Sequence, residues 1–240
     1  MTHALSERDF QRAMDATWSP AEIIGTEPWT LRRGLGGGKR VSAATTDRAV
    51  DQAEIDLAVS AMCAMDQTPT FMIRNGNEDL DRQLDNMGFC LVDPVLILSG
   101  PVENIAKIDP APLAAIPSVE PLALMEELWI RSGINQGRID VTLRTHGPKT
   151  WLFSRHDDKP AGGAFAAVSG RIAMVHALFV IPAQRRAGVG RNLMGRAAIW
   201  GRENGATDLA VVTTGENLPA QGLFRGLGME IVGNYHYRIK

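Results

Sequence analysis

Cysteine and net charge are both scarce in this sequence. Cys63 and Cys90 are the only cysteines among 240 residues, and both fall in segments with apolar periodicity. We expect buried thiols in a reducing compartment rather than a disulfide framework. The net charge of −2 argues against a protein dedicated to nucleic acids or membrane surfaces, because affinity for phosphate depends on concentrated Lys and Arg.

Long hydrophobic runs are missing as well, and no leader is expected. Stretches such as residues 172–181 are far too short to span a bilayer, and this one contains His176. Residues 1–9 have no basic region that leads into an apolar core, so no signal peptide is expected. A protein of the cytoplasm is the default expectation.

Apolar periodicity predicts an α/β chain in which helices and strands are mixed. Helices are predicted at residues 6–14, 51–62, 80–87, 122–129, 192–203 and 219–227. Strands are predicted at residues 29–33, 40–45, 70–73, 92–98, 150–153, 163–169, 172–180, 209–213 and 230–239. The glycine-rich residues 34–38 are interpreted as a flexible hairpin between two strands. Five prolines within residues 101–121 predict an irregular linker.

The same order of elements occurs twice in the sequence, once in each half of the chain. Each half contains a strand, an asparagine, a helix and a glycine that ends the helix. The positions of Asn77 and Asn217 differ by 140, and so do those of Phe89 and Met229. We interpret the halves as two copies of one domain, residues 1–115 and residues 116–240, each a central mixed β-sheet flanked by helices.

The most informative chemistry lies in residues 180–191, which follow a strand and open a helix. Their Arg-x-x-Gly-x-Gly pattern leaves a run of backbone N–H groups without partners, and Gly188 and Gly190 let a ligand approach the backbone closely. Because a helix N-terminus favours negative charge, the segment fits a pyrophosphate, with three arginines as cationic partners. The pattern also fits a plain strand-to-helix turn with solvated arginines. Its spacing matches neither a dinucleotide-binding fold nor a P-loop.

Two stretches of the sequence resemble signatures of a known family. Residues 178–182 followed by residues 185–190 are similar to the acyl-CoA pyrophosphate motif of the GNAT acetyltransferases. Residues 217–229 resemble the second signature of that family, in which an Asn and an Ala precede a Leu-Tyr pair and a Gly-Phe pair ends the helix. The clear resemblance covers roughly the last third of the chain. The N-terminal half resembles a divergent repeat, as in tandem GNAT proteins.

The resemblance implies direct transfer of an acyl group, expected to be the acetyl group of acetyl-CoA, to a primary amine. In the family, the strand before the phosphate loop splays from its neighbour, and the pantetheine arm fills the gap. The residues implied to hold the cofactor are Leu178, Phe179, Val180, Arg185, Arg186, Ala187, Gly188, Val189, Gly190, Arg191, Asn217, Ala220 and Phe224. The N–H of Phe179 or Val180 is expected to polarise the thioester carbonyl. One cofactor site is expected, since the equivalent residues 45–51 of the first half have two acids and no glycine.

His176 is the first candidate for the base that deprotonates the amine. It lies on the strand that leads to the phosphate loop, and an unperturbed imidazole titrates at about 6.5. Strand alternation places it on the same side as Leu178 and Val180. The alternative is a structural histidine whose ring is satisfied by a neighbouring strand.

Phe224 occupies the position where many family members have the Tyr that protonates the departing thiolate. Phenylalanine has no proton to donate, so Tyr235 and Tyr237 on the last strand are candidates to replace it. Unassisted departure is a further alternative, because a thiol pKa is about 8.5.

The predicted function is an acetyl-CoA-dependent N-acetyltransferase acting on a small-molecule or peptide amine, as a monomer or homodimer. No nucleic-acid or membrane partner is expected, and no metal, since residues 156–160 resemble a hairpin turn more than a ligand set. Glu126 and Glu127 are candidates for recognising a cationic amine, although such residues more often form a solvated helix face. The alternative function is a CoA-binding regulatory or scaffold protein that keeps the fold without turnover.

Overall fold

The computed structural model describes residues 5–240, so residues 1–4 of the stretch expected to lack a signal peptide lie outside the described part. The helices are α1 (Glu7–Thr17), α2 (Gln52–Ala64), α3 (Glu78–Asn86), α4 (Val102–Ile105), α5 (Ala123–Arg131), α6 (Gln136–Arg144), α7 (Val189–Glu203) and α8 (Leu218–Gly226). The strands are β1 (Glu22–Thr26), β2 (Trp29–Arg33), β3 (Thr70–Arg74), β4 (Cys90–Pro101), β5 (Ile116–Ser118), β6 (Lys149–His156), β7 (Lys159–Ser169), β8 (Ile172–Val180), β9 (Asp208–Thr214) and β10 (Glu230–Ile239). Single 3₁₀ turns occupy Lys39–Val41 and Pro182–Gln184. The predicted mixed α/β class is confirmed.

Eight of the strands form one sheet, in the order β3-β10-β4-β9-β8-β7-β6-β5. Neighbouring strands are antiparallel except β8 and β9, which run parallel. Consecutive strands usually lie side by side. Here the last strand of each half instead pairs with a strand of the other half. Strand β4 pairs with β9 of the second half, and β10 lies between β3 and β4 of the first. The two halves therefore share one sheet, in which β10 and β4 are exchanged.

The glycine-rich residues 34–38 do not form the expected hairpin. The hairpin lies earlier, between β1 and β2, and the predicted strand at residues 40–45 begins as a 3₁₀ turn. A Cβ on Gly37 would lie 2.6 Å from the side chain of Val141 on α6, a helix that the sequence pattern did not reveal. Glycine is needed here for close packing rather than for flexibility.

Both cysteines are exposed, so the expectation of buried thiols is wrong. Cys63 follows the buried Met62 on α2 and is turned about 100° away from the buried face of that helix. Cys90 follows the buried Phe89, and successive side chains in a strand point to opposite faces.

The proline-rich residues 101–121 are more ordered than an irregular linker. Val102 and Ile105 of α4 are buried in the cluster that also contains the inner face of α7. Strand β5 pairs with β6 at the edge of the sheet. Irregular backbone is confined to residues 106–115 and 119–121.

Helix α1 packs across strands β7 and β8 and brings its C-terminal end to the middle of the sheet. It begins with a capping box, in which the Ser6 side chain accepts from the Asp9 N–H and Asp9 accepts from the Ser6 N–H. Phe10 and Met14 are buried on the face toward the sheet. This packing places Thr17 at the end of α1 against β8.

Candidate functional site

A cleft opens in the sheet where β8 and β9 part. The parallel pairing runs only from Ile172 with Asp208 to Val175 with Val211. Both strands continue beyond that point, β8 to Val180 and β9 to Thr214. The gap between them forms part of a cleft of about 700 Å³.

Strand β8 contains a bulge at Ala177, whose φ is +49°. Phe165 of β7 pairs with His176, but Gly163 pairs with Phe179, so β8 has one extra residue here. The extra residue reverses the alternation. His176 contacts the rings of Trp18 and Phe165, whereas Leu178 and Val180 pack against the core on the other face. The prediction that these three residues share one side is therefore wrong.

The backbone of β8 beyond the bulge presents hydrogen-bonding groups to the cleft. The Ile181 N–H donates to the Ala161 carbonyl next to β7, and successive residues of a paired strand point their N–H groups to opposite edges. The Val180 N–H therefore points away from β7 and toward the gap. The Val180 carbonyl lies on the same side, since it accepts from Nε of Arg185 at 3.4 Å. Leu178, two residues earlier, has the same orientation.

The loop after β8 leads into the N-terminus of α7. Arg186 has φ +65° and Gly188, the N-cap, has φ +80° with no side-chain hydrogen bond to the helix. The first hydrogen bond of the helix joins the Asn192 N–H to the Gly188 carbonyl. The N–H groups of residues 189–191 precede it and therefore have no partner within the helix.

The predicted phosphate-binding residues surround this helix end. A Cβ on Gly190 would lie 2.9 Å from Leu223, so the backbone and α8 are in close contact there. The exposed residues of the loop and first turn are Arg185, Arg186, Ala187, Gly188 and Arg191, while Val189 is buried. Three arginines and a free helix N-terminus are thus exposed just beyond the end of β8.

The second signature forms the opposite wall of the gap. Asn217 caps α8, because its Oδ1 accepts from the Ala220 N–H at 3.3 Å. Ala220 and Phe224 both line the cleft, and Phe224 is 4% exposed. Gln221 donates to the carbonyls of Thr214 and Gly215 and so fixes the end of β9.

His176 is buried and both of its ring nitrogens are engaged. Its Nε2 lies 2.9 Å from Oγ1 of Thr17, and its Nδ1 lies 3.2 Å from a guanidinium nitrogen of Arg40. Burial, with the positive charge of Arg40, lowers the pKa of His176 well below its usual value. The imidazole is therefore neutral at physiological pH.

Tyr235 and Tyr237 line the cleft from β10 with their rings in edge-to-face contact, 5.5 Å between centroids. The Tyr235 hydroxyl is shielded from solvent and has no hydrogen-bond partner among residues 5–240. Burial and the neighbouring Tyr235 raise the pKa of Tyr237 well above its usual value, although Arg40 opposes the rise. Tyr237 is thus a neutral phenol, and both tyrosines lie on the strand that pairs with β3 and β4 of the first half.

Several cleft residues were missed in the sequence. Lys39 and Arg40 come from the 3₁₀ turn after the glycine-rich loop, and Arg138 comes from α6. Trp18 also lines the cleft, although the sequence indicated only a packing role. The run of glycines was the available sign of a close backbone approach, but its partner is about 100 residues away in the sequence.

Glu126 and Glu127 do not line the cleft, and Glu127 instead pairs with Arg131 on the exposed side of α5.

Residues 156–159 form the predicted turn between β6 and β7, with Asp157 and Asp158 at positive φ. Within residues 5–240 no group of His, Cys, Asp or Glu is arranged to hold a metal ion. Nor is any helix of this part long and apolar enough to cross a membrane.

Comparison with known proteins gives one family and several similar structures. Residues 118–229 match the model of the acetyltransferase (GNAT) family. A GCN5-related N-acetyltransferase from Kribbella flavida is 17% identical, with 99% of this chain and 96% of that one covered and a TM-score of 0.70. A conserved protein of unknown function from Staphylococcus epidermidis is 11% identical, with 94% and 96% covered and a TM-score of 0.71.

A tandem GNAT protein from the clavulanic acid biosynthesis pathway is 12% identical, with 94% of this chain and 85% of that one covered and a TM-score of 0.61. At these identities the structural similarity shows the fold alone. No curated protein matches the sequence.

Proposed function

Residues 118–229 match the model of the acetyltransferase (GNAT) family, and on that premise we propose that the chain transfers an acetyl group from acetyl-CoA to a primary amine. One observation carries the proposal: β8 parts from β9 after Val175, and the end of β8 leads through a short loop to the free N-terminus of α7. A long, thin cofactor with a pyrophosphate at one end fits this combination of strand gap and anion-binding helix end.

The residues present fit acetyl-CoA. The N–H groups of residues 189–191 and three arginines offer donors and positive charge to a pyrophosphate. Gly188 has no Cβ to cover the end of the helix, and its surroundings are open. The outward N–H of Val180 extends the same row of donors along the gap toward the bulge.

Acetyl-CoA supplies a thioester whose C–S bond breaks as the amine nitrogen bonds to the acetyl carbon, with CoA leaving as the thiolate. The N–H groups of Leu178 and Val180 point into the gap and are the donors available to polarise the thioester carbonyl. Preorganised donors of this kind are often the largest contribution to catalysis, about 10²–10³-fold for each.

The amine must lose a proton, and His176 remains the predicted base. Its only lone pair is at Nδ1, which accepts from Arg40, so His176 accepts a proton only if Arg40 moves away. The observed contacts favour a positioning role instead, in which His176 holds Arg40 in the cleft. Water in the cleft then accepts the proton of the amine.

Tyr235 is the candidate that the geometry favours for protonating the thiolate. Tyr235 lines the cleft, and its hydroxyl has no partner among the described residues. Phe224 lies at the wall of the same cleft and has no proton to give. Tyr237 keeps its own proton, since its pKa is raised.

The proposal is tested by calorimetric titration of the protein with acetyl-CoA, with desulfo-CoA and NAD as controls, followed by an assay of amine-dependent release of CoA. Release is measured by chromatography, because the exposed Cys63 and Cys90 would react with a thiol dye. Saturable binding with amine-dependent release is the expected result. Binding without release for any amine would favour the regulatory or scaffold function, and no binding by folded protein would overturn the proposal.

A further inference from the structure

The end of the cleft away from α7 contains an excess of positive charge. Lys39, Arg40 and Arg138 line it, and Asp93 is the only carboxylate among the described residues that do so. Lys39 and Asp93 form a salt bridge at 2.8 Å and offset each other. Two guanidinium groups therefore remain without a compensating anion.

Arg40 is held in the cleft by contacts that leave part of its guanidinium unused. One terminal nitrogen donates to His176, and the guanidinium lies over the Trp18 ring at 5.8 Å. Its Nε is shielded from solvent and has no hydrogen-bond partner among residues 5–240. A buried donor without a partner is unfavourable, so the group is stabilised by an incoming acceptor.

Arg138 is brought to the same place by contact between two glycines. Asn135, the N-cap of α6, donates to the Gly36 carbonyl at 3.2 Å. A Cβ on Gly137 would lie 2.5 Å from the Gly36 carbonyl carbon, so only glycine permits this approach. A Cβ on Gly38, two residues before Arg40, would lie 3.9 Å from Nε of Arg138. Partial desolvation and the positive charge of Arg40 lower the pKa of Arg138.

Building on the proposed function, we infer that the acceptor amine carries a negatively charged group, a carboxylate or a phosphate, which Arg40 and Arg138 bind. Two arginines around one anion relieve their mutual repulsion and supply charge-assisted hydrogen bonds of fixed geometry. Amines with several positive charges, such as polyamines, are disfavoured. Glu126 and Glu127, which would have bound them, lie outside the cleft.

The experiment measures kcat and KM for matched amines in the CoA-release assay. Four kinds of amine are compared: free amino acids, the corresponding amino acid amides, polyamines, and phosphoethanolamine as the phosphate-bearing amine. We expect turnover of an amino acid or of phosphoethanolamine, and the member that is used identifies the anion. The matching amide is expected to have a KM about 10–100-fold higher, because it lacks the charge that the arginines bind.

The Arg138→Gln variant should raise KM for the anionic amine about 10–100-fold and leave the Kd of acetyl-CoA unchanged. Arg131→Gln is the matched control, since Arg131 is exposed on α5, pairs with Glu127 and does not line the cleft. Equal use of amide and acid, preference for polyamines, or no use of any anionic amine by protein that binds acetyl-CoA would overturn the inference. Failure to bind acetyl-CoA would instead overturn the proposed function.

Discussion

Arg40 donates a hydrogen bond to Nδ1 of His176 over 3.2 Å, although the two residues are 136 positions apart in the sequence. Arginine has no acceptor, so Nδ1 must be the unprotonated nitrogen of the ring. Nε2 then carries the hydrogen and donates it to Oγ1 of Thr17, whose own hydroxyl donates to the Ala13 carbonyl. These hydrogen bonds connect α1 to the 3₁₀ turn through His176, whose ring is neutral and held in one orientation.

Replacing His176 with Gln separates positioning from proton transfer. A glutamine keeps one acceptor for Arg40 and one donor for Thr17, but it cannot act as a base at neutral pH. We expect His176→Gln to retain kcat within about tenfold, whereas loss of a general base costs about 10²–10⁴-fold. The pH–rate profile of the native protein should show no ionisation of His176 near its usual value of about 6.5, because its pKa is lowered well below that.

His176→Ala is the companion variant, since it removes both hydrogen bonds and frees Arg40. If the ring positions Arg40, alanine should raise KM for the acceptor while glutamine does not. Equal losses of kcat, by 10²-fold or more in both variants, would identify His176 as the base.

The loop after β8, His176 and Arg40 differ in how much about them could be predicted from the sequence. The loop after β8 could be singled out because its residues are contiguous and its glycines have a backbone role, and its binding of phosphate stays a prediction. The orientation of His176 could not be predicted, because a single extra residue at Ala177 reverses the alternation and leaves no mark in the hydrophobic pattern. Arg40 and Arg138 were missed because the contact that joins them is between glycines of two distant segments.

Gly188 and Gly205 lie at opposite ends of α7 with nearly the same backbone, φ +80° and +84°, and open surroundings. An added methyl group at positive φ costs about 1–2 kcal/mol at either position. We expect Gly188→Ala and Gly205→Ala to lower Tm by similar amounts, while only Gly188→Ala weakens acetyl-CoA binding, by about tenfold or more. Thermal melts and calorimetry check this, and equal affinities would remove the α7 N-terminus from the cofactor site.

One acetyl-CoA per chain is expected, because the matching helix of the first half has its N-terminus filled. Asp51 caps α2 by accepting from the Glu54 N–H, and Glu54 accepts from the Asp51 N–H. Two carboxylates at this end repel a pyrophosphate and satisfy the donors it would need. A calorimetric stoichiometry near one supports this account. A second, comparable site per chain would show that the first half also binds cofactor.

Tyr235→Phe removes a buried hydroxyl that has no partner among the described residues. Stability should be unchanged or higher, since the cost of the unsatisfied group disappears. If Tyr235 protonates the thiolate, kcat should fall by about 10²-fold, the low end for acid catalysis, because a thiol of pKa about 8.5 leaves with little help. Tyr237→Phe serves as the control for ring packing, and equal kcat values in all three proteins would mean that the thiolate leaves unassisted.

The arrangement of the sheet is a second feature that could not be predicted from the sequence. Most strands and helices were predicted within a few residues, because each has its own period. Strand order was not predicted, because β4 and β10 are exchanged and each lies beside strands of the other half. Nothing in a local pattern distinguishes Tyr235 paired with Val95 from Tyr235 in a self-contained second domain.

The exchanged β10 is tied to the first half by a cluster of charges on α3. Asp81 accepts from Arg238 at 2.7 Å and contacts His236 at 2.9 Å. Burial alone would raise the pKa of Asp81, but the hydrogen bonds from Arg238 and His236 outweigh it, and the pKa lies below the usual value. A lowered carboxyl pKa means that the folded state binds the ionised form more strongly than the unfolded chain does.

This stabilisation should be complete above the unfolded-state pKa of about 4 and lost as the pH falls through the lower folded-state pKa. At pH 7 we expect Asp81→Asn to lower the free energy of unfolding by about 1–2 kcal/mol. Asp79→Asn is the control, because Asp79 pairs only with the exposed Arg82 on the same helix, and such pairs contribute about 0–1 kcal/mol. Denaturant unfolding at pH 7 and below pH 4 checks both points: a difference between Asp81→Asn and the native protein that persists unchanged in acid would show that the ion cluster does not anchor β10.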